Sequence, residues 1–151
     1  MRLSLLLALP IAAVLAAPAH AAPLRPDGSY GGATAQDWPV VLQVAKHGRS
    51  IRAAHIALDR TCTSGDSFVS SDAYHDVVVS RSGAFNVSFG PEPQQNDDGT
   101  VTNYSGTLKG RVDKRRGRIT GTWQLTSVES DTAGTTTDSC DSGIVTFSAN
   151  Q

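Results

Sequence analysis

The chain has 151 residues, with 13 Lys and Arg against 14 Asp and Glu, so its formal net charge is −1. This balance argues against a nucleic-acid binder, because such proteins usually carry a strong excess of basic residues. Beyond the N-terminal segment, no stretch is long and apolar enough to cross a membrane.

The N-terminal segment has the three parts of a secretory signal peptide. Arg2 supplies the positive charge, an apolar run follows, and an Ala-His-Ala sequence ends at Ala21 with the small residues that signal peptidase requires. The apolar run is too short to span about 30 Å of hydrocarbon, and two prolines interrupt it. We expect residues 1–21 to be removed near Ala21, which leaves one domain over residues 22–151 in the periplasm or outside the cell.

The mature segment alternates apolar and polar residues with the period of two that is typical of β-strands, and no window shows a helical repeat. In chain order, the alternation predicts strands at residues 30–34, 40–45, 52–58, 77–79, 84–89, 104–112, 118–125 and 144–149. Residues 90–99 are interpreted as a polar loop, and residues 126–142 as a long solvated hairpin end. Roughly eight short strands indicate an all-β fold, a small antiparallel meander β-barrel, with a β-sandwich as the alternative.

Three glycines fall on the predicted inward face of two neighbouring strands. They are Gly106, Gly110 and Gly121. A glycine inside a strand relieves crowding at a barrel bend or opposite a bulky ring. We expect Tyr104 and Trp123 to fill the space that these glycines leave, which favours a closed or nearly closed barrel.

Two cysteines, Cys62 and Cys140, remain after the expected cleavage. A pair of cysteines in an oxidising compartment predicts one disulfide bond. That bond would close a loop of nearly 80 residues and stabilise the fold by about 4 kcal/mol. A redox or metal site would need a C-x-x-C spacing or companion ligands, and the sequence has neither.

A basic segment from Arg111 to Arg118 connects two predicted strands. One interpretation is a solvated hairpin tip that discourages aggregation. The other is an anion-binding patch for an acidic polymer of the cell envelope, formed by Lys114, Arg115, Arg116 and Arg118. We do not expect this segment to bind single-stranded nucleic acid, because it lacks the aromatic residues that stack on bases.

Candidate catalytic groups are few in this sequence. His47 lies in a predicted turn, and His55 lies on a predicted strand with Asp59 four residues later, too far for a direct hydrogen bond. His75 and its neighbour Asp76 should point to opposite faces of a strand. No G-x-S-x-G, H-E-x-x-H or glycine-rich phosphate motif occurs.

Carboxylates are concentrated near the C-terminus, where Glu129, Asp131, Asp138 and Asp141 lie in the segment of residues 126–142. Such a group could coordinate a cation. A solvated hairpin end is the preferred interpretation, so we expect no metal and no cofactor.

Two resemblances to known families follow from short motifs. Gly121-Thr122-Trp123 resembles the G-x-W motif of lipocalin-like and avidin-like barrels, although in those families the motif lies on the first strand. The order of motifs along the mature segment is similar to that of small secreted bacterial β-proteins with one disulfide. The motifs concerned are Gly28–Gly32, Cys62, Gly121–Trp123, Cys140–Gly143 and Val145–Ala149. The resemblances imply a fold and a location, and they imply no activity and no retinoid, biotin or lipid site.

Because the sequence shows no recognisable set of catalytic residues, we favour an exported, non-enzymatic binding or interaction domain. The partner could be an envelope polymer, a protein or a small ligand. The alternatives are a small secreted hydrolase using His55 or His75, and a protease-inhibitor-like barrel. A core filled by Phe85, Phe89, Tyr104 and Trp123 would leave only loops and surface as sites, whereas an open cavity would favour a small ligand.

Overall fold

A computed structural model describes residues 26–151. The predicted signal peptide lies outside these residues. The described chain contains nine β-strands and no helix, and therefore no helix that could span a bilayer. The strands are β1 (Gly28–Thr34), β2 (Pro39–Ala45), β3 (Ser50–Cys62), β4 (Ser67–Val78), β5 (Ala84–Gln95), β6 (Val101–Asp113), β7 (Arg118–Ser130), β8 (Thr136–Asp141) and β9 (Val145–Asn150).

All nine strands belong to one antiparallel sheet, which confirms the predicted fold class. The strand order is β4-β3-β2-β1-β9-β7-β6-β5, and β8 pairs with both β3 and β7. The ladders through β3, β2, β1, β9, β7 and β8 therefore close a ring of hydrogen bonds. The nine strands form one sheet and not two stacked sheets, and β4 and β5 are its two ends outside the ring.

Strand length explains why β8 is needed to close this ring. β1, β2 and β9 have six or seven residues, whereas β3 and β7 have 13. β9 covers the first half of one edge of β7, and β8 covers the second half of the same edge. β8 thereby bridges β3 and β7 beyond the point where the short strands end.

The predicted disulfide is present, between Cys62 in β3 and Cys140 in β8 with an S–S distance of 2.00 Å. These cysteines face each other in the β3–β8 ladder, which contains only one further residue pair, Thr61 and Asp141. The bond fastens the shortest ladder of the ring. The described chain contains no free cysteine.

The core occupies the inner face of the ring, as the alternation predicts. Trp123 is fully buried at its centre. The largest fully buried side chains come from five different strands and the segment after β4. They are Trp123, Tyr30, Leu42, Ile51, Ile56, Leu58, Leu108, Ile119, Val40 and Val79.

The glycines lie beneath aromatic rings, but the predicted rings were wrong. Phe85 pairs with Gly110, and Phe89 pairs with Gly106, across the β5–β6 ladder. A Cβ atom on either glycine would collide with the opposing ring. Gly121 is covered in the same way by a third phenylalanine, from β9. Phenylalanine rings on adjacent strands fill these spaces because a directly opposite residue is closer than one on the same strand.

Two segments interpreted as loops are strands in the structure. β5 continues to Gln95 through a register shift between Phe89 and Glu92, and β7 and β8 occupy most of residues 126–142. Both segments are polar and lack a clear apolar alternation. Pairing with a neighbouring strand nevertheless satisfies their backbone N–H and C=O groups, which is sufficient reason for a strand to continue.

Candidate ligand-binding cavity

A cavity of about 480 Å³ opens where the sheet is not continuous. β4 and β5 are the two ends of the strand order, and no ladder joins them within residues 26–151. The wall around this opening comes from β3, β4, β5, β6 and β7. Its volume is within the range of pockets that hold small molecules, about 300–1,000 Å³. The aromatic residues therefore do not fill the interior completely.

Arg60 is the charged group inside this cavity. It lies between the buried residues Leu58 and Cys62 on the inward face of β3, and it is only 7% exposed. Its Nε–H donates to Ser70 Oγ at 2.7 Å, and its Nη1 donates to Ser127 Oγ at 2.5 Å. These hydroxyls come from β4 and β7, so the guanidinium is fixed between opposite walls.

The charge of Arg60 has no carboxylate partner among the side chains that the structure describes. The ion pairs found there are Asp27 with His47 and Asp113 with Arg116. Burying a cation without an anion is costly. The Tyr104 ring, whose centroid is 5.5 Å from the guanidinium carbon, offsets part of this cost through a cation–π interaction.

Arg60 also retains unused donors. A guanidinium carries five N–H groups in a planar fork that matches a carboxylate. The hydrogen bonds to the two serine hydroxyls account for two of them. No partner for the remaining N–H groups is found among the side chains that the structure describes, so these groups can donate to an anion that enters the cavity.

The inner part of the cavity is apolar. Tyr74, Phe89 and Leu125 line it, and Tyr74 and Leu125 are buried. The Tyr74 ring packs edge-on against Phe89 with a centroid separation of 5.5 Å, and against Trp123 at 4.6 Å. These contacts make a rigid aromatic floor that can hold an acyl chain or a ring.

The rim of the cavity is polar. Ser71 and His75 contribute from β4, and Glu92 and Gln94 contribute from β5. Glu92 is exposed and lies opposite Tyr104 in the β5–β6 ladder. A carboxylate at the entrance disfavours ligands that carry several negative charges.

The candidate catalytic histidines are exposed in the structure. The rings of His55 and His75 approach edge-on, with centroids 6.4 Å apart, because their strands are neighbours. No hydrogen bond to a carboxylate is found for either imidazole among the described side chains. Asp59 lies further along β3, and its backbone is held by Gln36. This arrangement contains no assembled nucleophile–base pair.

The predicted basic patch lies at the β6–β7 turn. Arg115, Arg116 and Arg118 are exposed, and Lys114 is half-buried with its Nζ donating to the His47 carbonyl at 3.1 Å. Asp113 accepts the backbone N–H groups of Arg115 and Arg116 and shapes the turn. The turn lies at one end of β6 and β7, and the cavity lies nearer the other end of these strands, so the patch and the cavity are separate features.

The carboxylates of residues 126–142 have local structural roles. Asp138 accepts hydrogen bonds from the Thr63 hydroxyl at 2.6 Å, from the hydroxyl and N–H of Ser64, and from one further amide. The Thr63 hydroxyl is the main cause that lowers the Asp138 pKa to about 2. Asp138 lies near both cysteines, but their sulfurs are bonded to each other and are not available as thiolate ligands.

Arg60, Ser70 and Ser127 were not among the predicted site residues. A signal for Arg60 is present, because it alternates with Leu58 and Cys62 and therefore occupies an inward position. The serines carry no comparable signal, since only the fold brings β4 and β7 to opposite sides of one guanidinium.

Comparison of the chain with protein-family models, with curated proteins and with solved structures found no match. The function must therefore be inferred from the site itself. The resemblances to lipocalin-like barrels and to small secreted bacterial β-proteins stay predictions.

Proposed function

We propose that this protein is a non-enzymatic binding domain that acts in the periplasm or outside the cell and holds a small anionic ligand in the Arg60 cavity. The observation that carries this proposal is the buried guanidinium, fixed by two hydroxyls and facing an open space without a described carboxylate partner. A cavity with a few convergent polar groups and an apolar lining is the usual form of a small-molecule site.

The chemistry of the walls defines the class of ligand. A carboxylate or similar planar anion would receive the free N–H groups of Arg60 in a bidentate contact. The apolar part of the ligand would lie on Tyr74, Phe89 and Leu125. Glu92 at the rim favours a single negative charge. An aryl-alkyl or acyl monocarboxylate fits this arrangement.

The side chains around Arg60 favour ligand binding over catalysis. Hydrolysis needs a nucleophile activated by a base within hydrogen-bond reach. The hydroxyls of Ser70 and Ser127 are both engaged with a cation, which does not accept a proton. The hydrolase alternative with His55 or His75 has no comparable geometric support.

The location outside the cytoplasm rests on the predicted signal peptide and on the disulfide, because structural disulfides persist in oxidising compartments. Expression of the full chain, followed by fractionation and N-terminal sequencing, tests this location. We expect a mature protein that begins near Ala22. An uncleaved chain retained in the cytoplasm would contradict it.

Ligand binding is tested with matched pairs of probes, using 3-phenylpropionate and octanoate against their neutral amides in calorimetric titrations. A hydrogen bond to a charged group contributes about 1.5–3 kcal/mol, so we expect each acid to bind about tenfold or more tightly than its amide. In Arg60→Met, this preference should disappear. Methionine suits the position because an apolar residue of similar size often replaces a buried charge without loss of stability.

Arg52→Met is the matched control, because Arg52 is an exposed arginine on the same strand and does not line the cavity. It should retain the preference of the wild type. Glu92→Gln should strengthen binding of both acids by removing a negative charge at the rim. Equal affinity for acid and amide, an unchanged preference in Arg60→Met, or no binding of either acid at millimolar concentration would each disprove the proposal.

A further inference from the structure

The meander places alternate connections at opposite ends of the sheet. The β2–β3, β4–β5 and β6–β7 connections share one end, which we call the basic end. The β3–β4, β5–β6 and β7–β8 connections share the other, which we call the acidic end. Eight of the eleven lysines and arginines in residues 26–151 belong to the basic end, and more carboxylates lie at the acidic end than at the basic end.

Eight cationic side chains lie in the three turns of the basic end, within two residues of them or, for Arg111, hydrogen-bonded to one of them. They are Lys46, Arg49, Arg81, Arg111, Lys114, Arg115, Arg116 and Arg118. Three carboxylates accompany them, those of Asp27, Asp76 and Asp113. Seven of the eight cations are exposed, and Lys114 is half-buried.

Direct contacts hold these turns together as one surface. Lys114 Nζ donates to the His47 carbonyl at 3.1 Å, which joins the β6–β7 turn to the β2–β3 turn. Arg111 Nη1 donates to the Ser82 carbonyl at 3.3 Å, which joins β6 to the β4–β5 turn. The patch predicted from one hairpin is therefore part of a larger basic surface.

The acidic end has the opposite composition. Its three connections contain Asp66, Asp97, Asp98 and Asp131 and no lysine or arginine. Glu129 and Asp138 lie in the strand ends beside them. A protein with a near-neutral total charge thus carries a strong charge asymmetry along the sheet, which orients it in the field of a charged partner.

We propose that the basic end docks onto a linear acidic polysaccharide. Six of the eight cations are arginines, whose forked donors suit the carboxylates of such a polymer. Of the exposed large hydrophobic side chains, Val78 alone lies beside the three turns, and a single valine among so many cations disfavours insertion into a lipid surface. The three turns contain no Phe, Tyr or Trp, which disfavours stacking on nucleic-acid bases.

Docking in this orientation has a consequence for the cavity. Arg60, Glu92 and Tyr104 lie in the half of the sheet nearer the acidic end. Of the rim residues, His75 lies in the half of the sheet nearer the basic end, and the anion-binding group of the cavity is at the other end. The surface therefore acts independently of the proposed ligand site.

Alginate, a polymer of uronate sugars, is the probe. We expect wild-type protein to bind it at low salt and to lose at least about tenfold in affinity between 50 and 300 mM NaCl, because exposed charges are screened. Arg115→Gln/Arg116→Gln should weaken binding by about tenfold, since it removes two exposed cations from the surface that makes contact. Arg60→Met should bind alginate as the wild type does.

Arg52→Gln/Lys109→Gln is the control, because it removes the same charge from exposed strand positions outside the basic end. It should reduce alginate affinity by less than about threefold, since it lies outside the surface that makes contact. Equal losses in the two double variants, salt-insensitive binding, or no binding to alginate would overturn the proposal. Tighter binding to duplex DNA or to phosphatidylglycerol vesicles than to alginate would also overturn it.

Discussion

Removing the Cys62–Cys140 bond should destabilise the protein more than any single contact in it. The bond joins β3 to β8 across a ladder of two residue pairs. Without it, β8 is held by its five pairs with β7 and by that short ladder. The double variant Cys62→Ala/Cys140→Ala removes the cross-link and leaves the rest of the sheet intact.

The expected loss follows from the length of the closed loop. The cysteines are separated by 78 residues. The loop-closure relation then assigns about 4.5 kcal/mol to the restriction of the unfolded chain at room temperature. Single domains have unfolding free energies of about 5–15 kcal/mol, so the loss is a large part of the total. Cys62 is also buried, and its replacement by alanine removes packed sulfur in addition.

Urea unfolding followed by tryptophan fluorescence measures this loss, since Trp123 is in the core. Reduced wild-type protein is the control that keeps both sulfurs, and it should lose about 4 kcal/mol by the same loop-closure relation. Hydrogen exchange should locate the effect, with amides of β8 exchanging faster than amides of β2. A loss below about 1 kcal/mol in both proteins, or unchanged exchange in β8, would refute the reasoning.

Two further predictions concern a glycine and a carboxylate. Gly110→Ala should destabilise the fold by about 1–3 kcal/mol, because its Cβ would meet the Phe85 ring and a backbone oxygen of β7. Gly31→Ala is the control, because no atom lies within 4 Å of the Cβ position there, and it should change the free energy of unfolding by less than about 0.5 kcal/mol. Equal melting temperatures for the two variants would contradict this difference. Asp138→Asn should lower the urea midpoint near neutral pH, because hydrogen bonds, chiefly from Thr63, depress the carboxyl pKa to about 2 in the folded state. A depressed pKa stabilises the fold above the unfolded value of 3.8, and this contribution is lost as the pH falls from about 4 to 2, so the two midpoints should converge there. A difference that persists at pH 2 would contradict this assignment.

The strands and their inward faces were predictable where apolar residues alternate. Leu42, Ile56 and Trp123 are buried within predicted strands, where one face is buried and the other is solvated. β8, the end of β5 and most of β4 were not predicted, because apolar and polar residues do not alternate regularly in them. Those segments are strands because a neighbouring strand satisfies their backbone, and a neighbour is not visible in local sequence.

The candidate site was predictable only in part. Arg60 stands at an inward position, so its burial could have been inferred from its alternation with Leu58. The environment of Arg60 could not have been inferred from the sequence, because Ser70, Ser127 and Tyr104 come from three other strands. The histidines were named from residue type alone, and the structure leaves them exposed.

The sequence by itself determined the β-strand class, the turns, the inward residues and the pairing of the two cysteines. These features depend on neighbours in the chain, or on there being a single possible partner for each cysteine. Only the tertiary structure decided that β8 closes the ring, that β4 and β5 leave an opening, and that cations and carboxylates separate to opposite ends. Each of these depends on which distant strands become neighbours, and that is set by the summed hydrogen bonding and burial of the whole sheet.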